Sequence, residues 1–74
     1  MTIGAKIAAC RKRAGMSQEK LANELNISRQ AVSRWETGEA VPDTEKVIQL
    51  SRIFHVTTDY LLLDIDEAPQ SAAP

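Results

Sequence analysis

Apolar residues recur along this chain with the period of a helix. Ile3, Ile7, Cys10 and Ala14 stand at i, i+4, i+7 and i+11, which puts them on one face of a first helix. Thr2 is placed to cap its start, and Arg11, Lys12 and Arg13 fall in its last turn, where cations offset the helix dipole. Gly15 offers a left-handed stop. Ser17 caps a second helix, with Glu19 in its first turn and Leu21, Ala22 and Leu25 on its inner face. Asn26 ends that helix, and Ser28 caps the next one only three residues after Leu25. So short a turn makes the two helices cross at a large angle.

The third helix is expected from Arg29 to about Thr37, closed by Gly38. Placed on a wheel at about 100° per residue, it separates into two arcs. Arg29, Gln30, Ser33, Arg34 and Thr37 share about 140° of its circumference, and Ala31, Val32 and Trp35 share another arc. Pro42–Asp43 opens a fourth helix with Val47, Ile48, Leu50, Ile53 and Phe54 as its apolar set and Lys46 and Arg52 toward solvent. His55 stands at its end, where it can adopt the left-handed conformation. Thr57 caps a last short helix, with Asp59 in its first turn and Tyr60, Leu61, Leu62 and Leu63 behind. The pattern predicts an all-α fold of five helices over residues 1–63. From Asp64 the text changes to DIDEAPQSAAP, which reads as an acidic, disordered tail or linker remnant over residues 64–74. No strand pattern, repeat or glycine-rich phosphate loop interrupts this reading.

Seventy-four residues allow one domain, and a domain this small buries only about 60% of its unfolded surface. Cys10 is the single cysteine, so no intramolecular disulfide supports the fold, and only His55 could join it at a metal. Its inner position suits a small core hydrophobe. The core must come from the 43% of residues that are hydrophobic. No apolar run approaches the ~18 residues of a membrane span. The opening MTIGAKIAAC lacks the charged start and apolar block of a signal peptide. A soluble cytoplasmic protein without a membrane partner is expected.

The net charge of −1 hides a polarity. Residues 1–38 carry seven lysines and arginines against three glutamates, whereas residues 39–74 carry two against seven acidic residues. An anionic partner would approach the first half.

The stretch SQEKLANELNISRQAVSRWETGEAVPDTEKVIQLSRIFHVTTDYLL resembles the Cro/C1-type helix-turn-helix domain of the Xre family. The likeness covers roughly residues 3 to 63. It rests on S-Q-E-x-L-A opening helix two, S-R-Q-x-V-S-x-W-E-x-G as helix three, P-D at the next start and the final L-L. It implies a five-helix, phage-repressor-like domain whose helix 28–37 enters the major groove of an operator. By this likeness Arg29, Gln30, Ser33 and Arg34 face base edges, Gln18 clamps a phosphate, and Arg11 and Glu36 pair between helices one and three. Lys12 and Arg13 match residues that relatives use for phosphates. Relatives act as homodimers on double-stranded DNA.

Chemistry supports these roles. The major groove, ~12 Å wide, admits one helix, arginine binds guanine bidentately and glutamine binds adenine bidentately. Ser17 and Ser28 stand at helix N-termini, where backbone N–H groups suit phosphate oxygens.

Two features depart from the family pattern. The loop EAVPD, residues 39–43, carries no Lys or Arg for the minor groove, and the chain ends after the DNA-binding head. The expected function is a sequence-specific transcriptional regulator, with repression the expected sign. A second reading is a protein-interaction module, such as the antitoxin of a toxin–antitoxin pair, whose C-terminal tail engages a protein. No cofactor or metal site is expected. No carboxylate pair or Cys–His arrangement points to an enzyme.

Overall fold

The computed structural model describes residues 1–63. It holds five helices: α1 (Ile3–Arg13), α2 (Gln18–Leu25), α3 (Arg29–Thr37), α4 (Thr44–Phe54) and α5 (Thr58–Leu62). Each begins on a side chain that accepts a hydrogen bond from a first-turn amide: Thr2, Ser17, Ser28, Asp43 and Thr57 in turn. These caps satisfy N–H groups that a helix start otherwise leaves open. Three helices stop on a left-handed residue, Asn26 (φ 60°), Gly38 (φ 88°) and His55 (φ 58°). The first helix ends on Ala14, and the left-handed turn follows at Gly15 (φ 73°). Ala14 is exposed rather than part of the inner face, because the helix has already ended at Arg13.

The core joins all five helices. Ile7, Cys10, Leu21, Leu25, Val32, Trp35, Leu50, Phe54 and Leu61 are buried in one cluster. The α4 stripe is less regular than its sequence suggests. Ile48 is 40% exposed and Lys46, expected toward solvent, is half-buried.

Two details set how the helices meet. Gly4 lets α1 lie against the end of α3; a Cβ at Gly4 would stand 2.0 Å from the Trp35 carbonyl oxygen. Lys6 is buried with 1% exposure, and its Nζ donates to the carbonyl of Tyr60 at 2.7 Å and to that of Leu63. The ammonium also lies 4.9 Å from the centre of the Tyr60 ring. A cation on α1 thus takes up carbonyls at the end of α5, where a helix leaves acceptors open. The tail expected over residues 64–74 and the protein contact expected of it lie outside the described residues.

Candidate nucleic-acid interface

α3 carries the expected division of faces. Val32 is fully buried and Trp35 is 6% exposed, so the back of the helix is fixed in the core. Arg29, Gln30 and Arg34 are exposed, and Ser33 is half-buried between them. Arg29, Gln30, Ser33 and Arg34 line one hollow of about 290 Å³ together with Glu39. Gln30 and Arg34 also border a second hollow of about 250 Å³, whose floor includes Ala31, Trp35 and Ala40. These two side chains therefore form a ridge with a polar hollow on one side and a more apolar one on the other.

The exposed face of α3 is tied to the core by a chain of polar contacts. Arg11 Nε donates to Glu36 Oε2 at 2.7 Å and Arg11 Nη2 donates to Glu36 Oε1 at 3.1 Å, a bidentate pair between α1 and α3. Arg11 Nη1 also donates to the Met16 carbonyl at 2.8 Å. Gln18 Nε2 donates to Glu36 Oε1 at 3.0 Å, and Arg29 Nη1 donates to Gln18 Oε1 at 3.4 Å. The series Arg11–Glu36–Gln18–Arg29 thus runs from a nearly buried pair, with 12% and 10% side-chain exposure, to the exposed start of α3.

Charge and burial compete at the centre of this series. Burial pushes the Glu36 carboxyl up, but hydrogen bonds from Arg11 and Gln18 and the charges of Arg11 and Lys12 outweigh it and hold the group below the usual glutamate range. The hydrogen bond to Glu36 raises the Arg11 guanidinium further above its ordinary value, against the opposing effect of burial.

The other expected contact residues surround this face. Lys12 and Arg13 are exposed at the end of α1, and Arg13 Nη2 reaches the buried Cys10 Sγ at 3.6 Å. Burial raises the Cys10 thiol, with Arg13 pulling the other way. Ser17 and Ser28 are exposed, and their hydroxyl oxygens accept from Lys20 N and Ala31 N at 3.0 and 3.2 Å. Gln18, read from the sequence only as a phosphate ligand, also bridges Glu36 to Arg29. The α-helical wheel did not reach Glu39, which follows the helix stop at Gly38. Its presence in the α3 hollow was legible only in three dimensions.

Among the described residues, no helix is long and apolar enough to cross a membrane. None of their His, Cys, Asp and Glu side chains gather in threes to hold a metal ion.

Comparison with known proteins converges on one architecture. Residues 7–61 match the family model described as Helix-turn-helix. The chain is 37% identical over 62 residues to the HTH-type transcriptional regulator ImmR of Bacillus subtilis, covering 84% of this chain and 49% of that protein. It is 39% identical over 70 residues to the SPbeta prophage-derived regulator YonR of the same organism, covering 86% of this chain and 65% of that one. The chain therefore spans about half to two thirds of the length of these curated relatives. Its backbone superposes on the P22 c2 repressor solved in complex with a synthetic operator, with a TM-score of 0.82 and 32% identity, covering 88% of this chain and 98% of that one.

Proposed function

The chain belongs to the Cro/C1-type helix-turn-helix family, and on that premise we propose that it is a sequence-specific double-stranded DNA-binding regulator that represses transcription by occupying an operator. α3 enters the major groove. Arg29, Gln30, Ser33 and Arg34 read base edges, and Ser17, Gln18, Ser28, Lys12 and Arg13 hold phosphates on either side. The observation that carries this reading is the pinned helix: a polar arc stands exposed while Val32 and Trp35 fix its back. Rigid presentation matters because base edges are read by directional hydrogen bonds. The likeness to a repressor solved on its operator supports the same docking. The reading assigns the chain a cytoplasmic role without a catalytic step or cofactor.

Two copies meet on the operator. A nine-residue helix reads only a few base pairs, and two half-sites roughly 34–36 Å apart multiply that information. Supporting a meeting surface near α5, Leu62 and Leu63 are 60% and 52% exposed. Leu62 and Ile48 also line a hollow of about 250 Å³ with Pro42, Thr44, Val47 and Thr58.

Selection of bound sites from random duplex DNA tests the whole reading. It should return a twofold motif, and affinity for that motif should fall steeply with salt as phosphate contacts release counterions. Failure to enrich any sequence overturns it. Sedimentation of the complex on a selected site should show two chains per duplex; one chain per duplex excludes the dimer.

A further inference from the structure

We propose that Glu39 is a base-discriminating residue whose carboxylate accepts a hydrogen bond from the exocyclic amino group of a cytosine in the major groove. The inference rests on the DNA-binding reading above. The face that would meet a polyanion carries a carboxylate in the same hollow as Arg29, Gln30, Ser33 and Arg34. Among the described residues the ion pairs are Arg11–Glu36 and Lys20–Glu24, and Glu39 has no cation partner. An acidic side chain left open there repels phosphate and weakens binding to every sequence alike, unless one base rewards it.

The backbone holds Glu39 firmly in this place. After the left-handed turn at Gly38, the Glu39 amide donates to the Arg34 carbonyl at 2.9 Å and the Ala40 amide donates to the same oxygen at 3.2 Å. This closure folds the start of the loop back onto the last turn of α3. The Glu39 side chain is exposed, and the main chain that bears it is hydrogen-bonded to the residue that carries the Arg34 guanidinium. It is therefore presented from the end of the reading helix and not from a free loop.

The chemistry of the four bases selects the ligand. A carboxylate only accepts hydrogen bonds. In the major groove guanine shows two acceptors, thymine an acceptor and a methyl group, and adenine a donor beside the N7 acceptor. Cytosine shows the amino donor without a neighbouring acceptor of its own. Glu39 thus complements Arg34: one prefers the donor edge of a base and the other the acceptor edge of a guanine.

The test uses the full chain and site selection from random duplex DNA, run in parallel on the parent, Glu39→Ala, Glu39→Gln and Arg34→Lys. A cytosine reader gives three results together. Glu39→Ala loses preference at one position that is cytosine in the parent motif, and binds the parent site about tenfold more weakly relative to unrelated duplex. Its binding to unrelated duplex tightens, because a repulsive charge is gone. Glu39→Gln moves the preference at that position from cytosine toward adenine, the base that an amide pairs with bidentately. An unchanged motif with uniformly tighter binding overturns the proposal and makes Glu39 an electrostatic brake. An unchanged motif with unchanged affinity overturns it as well. Loss at the same position that Arg34→Lys relaxes also overturns it, since Glu39 would then only orient Arg34. A parent chain that selects no sequence overturns the regulator reading and this inference together, whereas a parent motif that survives Glu39→Ala overturns this inference alone.

Discussion

The α-carbon of Gly4 lies against the carbonyl of Trp35, so closely that an added methyl group would stand 2.0 Å from the oxygen. The obstacle is backbone, at the last turn of α3, and it cannot rotate away as a side chain would. Gly4→Ala must push α1 off α3. The expected cost is about 3 kcal/mol or more, at the upper end for overpacking, which is a fall in Tm of roughly 10 °C or more for a chain of this size. Gly15→Ala is the control. Gly15 has open space around it, and only its left-handed φ of 73° penalises a side chain, at a cost of about 1 kcal/mol. Equal melting temperatures for the two variants would contradict the close approach.

Lys6 and Tyr60 stand 54 residues apart in sequence and share one hydrogen bond and one cation–ring contact. Lys6→Met keeps the buried stem but leaves the carbonyls of Tyr60 and Leu63 without this donor. The expected loss is about 1–3 kcal/mol. Amide exchange should accelerate across α5 and hardly change in α2 and α3. Lys20→Met should cost less than ~1 kcal/mol, because its pair with Glu24 at 3.5 Å is exposed on both sides. Unchanged protection in α5 of Lys6→Met would mean that the lysine does not hold that helix.

Glu36 links stability to acid pH. Its carboxyl titrates lower in the folded chain than in the unfolded one, where the value is about 4.3. The folded state therefore binds fewer protons, and the stabilisation is fully present above the unfolded value. It is lost as pH falls from there through the depressed folded value. Glu36→Gln should flatten this acid limb of the stability curve. At neutral pH Glu36→Ala strands Arg11 at 12% side-chain exposure, with an expected cost of ~3 kcal/mol. A Tm for Glu36→Ala equal to that of Glu24→Ala would contradict a stabilising Arg11–Glu36 pair.

Helix ends were legible in the sequence because capping is local. Ser17, Ser28, Asp43 and Thr57 each bond an amide three residues on, and Asn26, Gly38 and His55 turn left-handed where the apolar period stops. The faces of α3 were legible for the same reason, since they depend on period alone. Ala14 was misplaced because a wheel does not know that the helix ends at Arg13. Long-range polar contacts are a different matter. A lysine in a helix is ordinarily solvated, and nothing near Lys6 in sequence announces carbonyls at Tyr60 and Leu63. The bond from Gln18 to Glu36 depends on how α2 crosses α3. Glu39 lines the hollow beside Arg29, Gln30, Ser33 and Arg34 only because the chain folds back at Gly38.

Arg34→Lys separates reading from charge. Lysine keeps the positive charge and loses the planar fork that binds guanine through two hydrogen bonds. The variant should lose about 1–3 kcal/mol of discrimination at one base pair, with its salt dependence unchanged. Lys12→Ala and Arg13→Ala should do the reverse, each lowering the salt slope by about one unit while leaving the selected motif intact. Gln18→Ala should weaken binding with the salt slope unchanged, because the side chain is uncharged, and should free Arg29 from its contact with Gln18. It should also lower Tm, since Glu36 loses a donor. A lysine variant that selects the parent motif would reassign Arg34 to the phosphates.

If α3 reads base edges in the major groove, DNA altered at those edges reveals it directly. The selected operator is synthesised with 7-deazaguanine at each guanine in turn, which removes the N7 acceptor from the major groove and leaves Watson–Crick pairing and the backbone in place. Affinity for the parent chain should fall by roughly tenfold at one or two positions per half-site, and Arg34→Ala, which has no donor left to meet N7, should be insensitive at one of them. Unchanged affinity at every guanine, in a site that the chain selects, would contradict the assignment of the arginines of α3 as guanine readers.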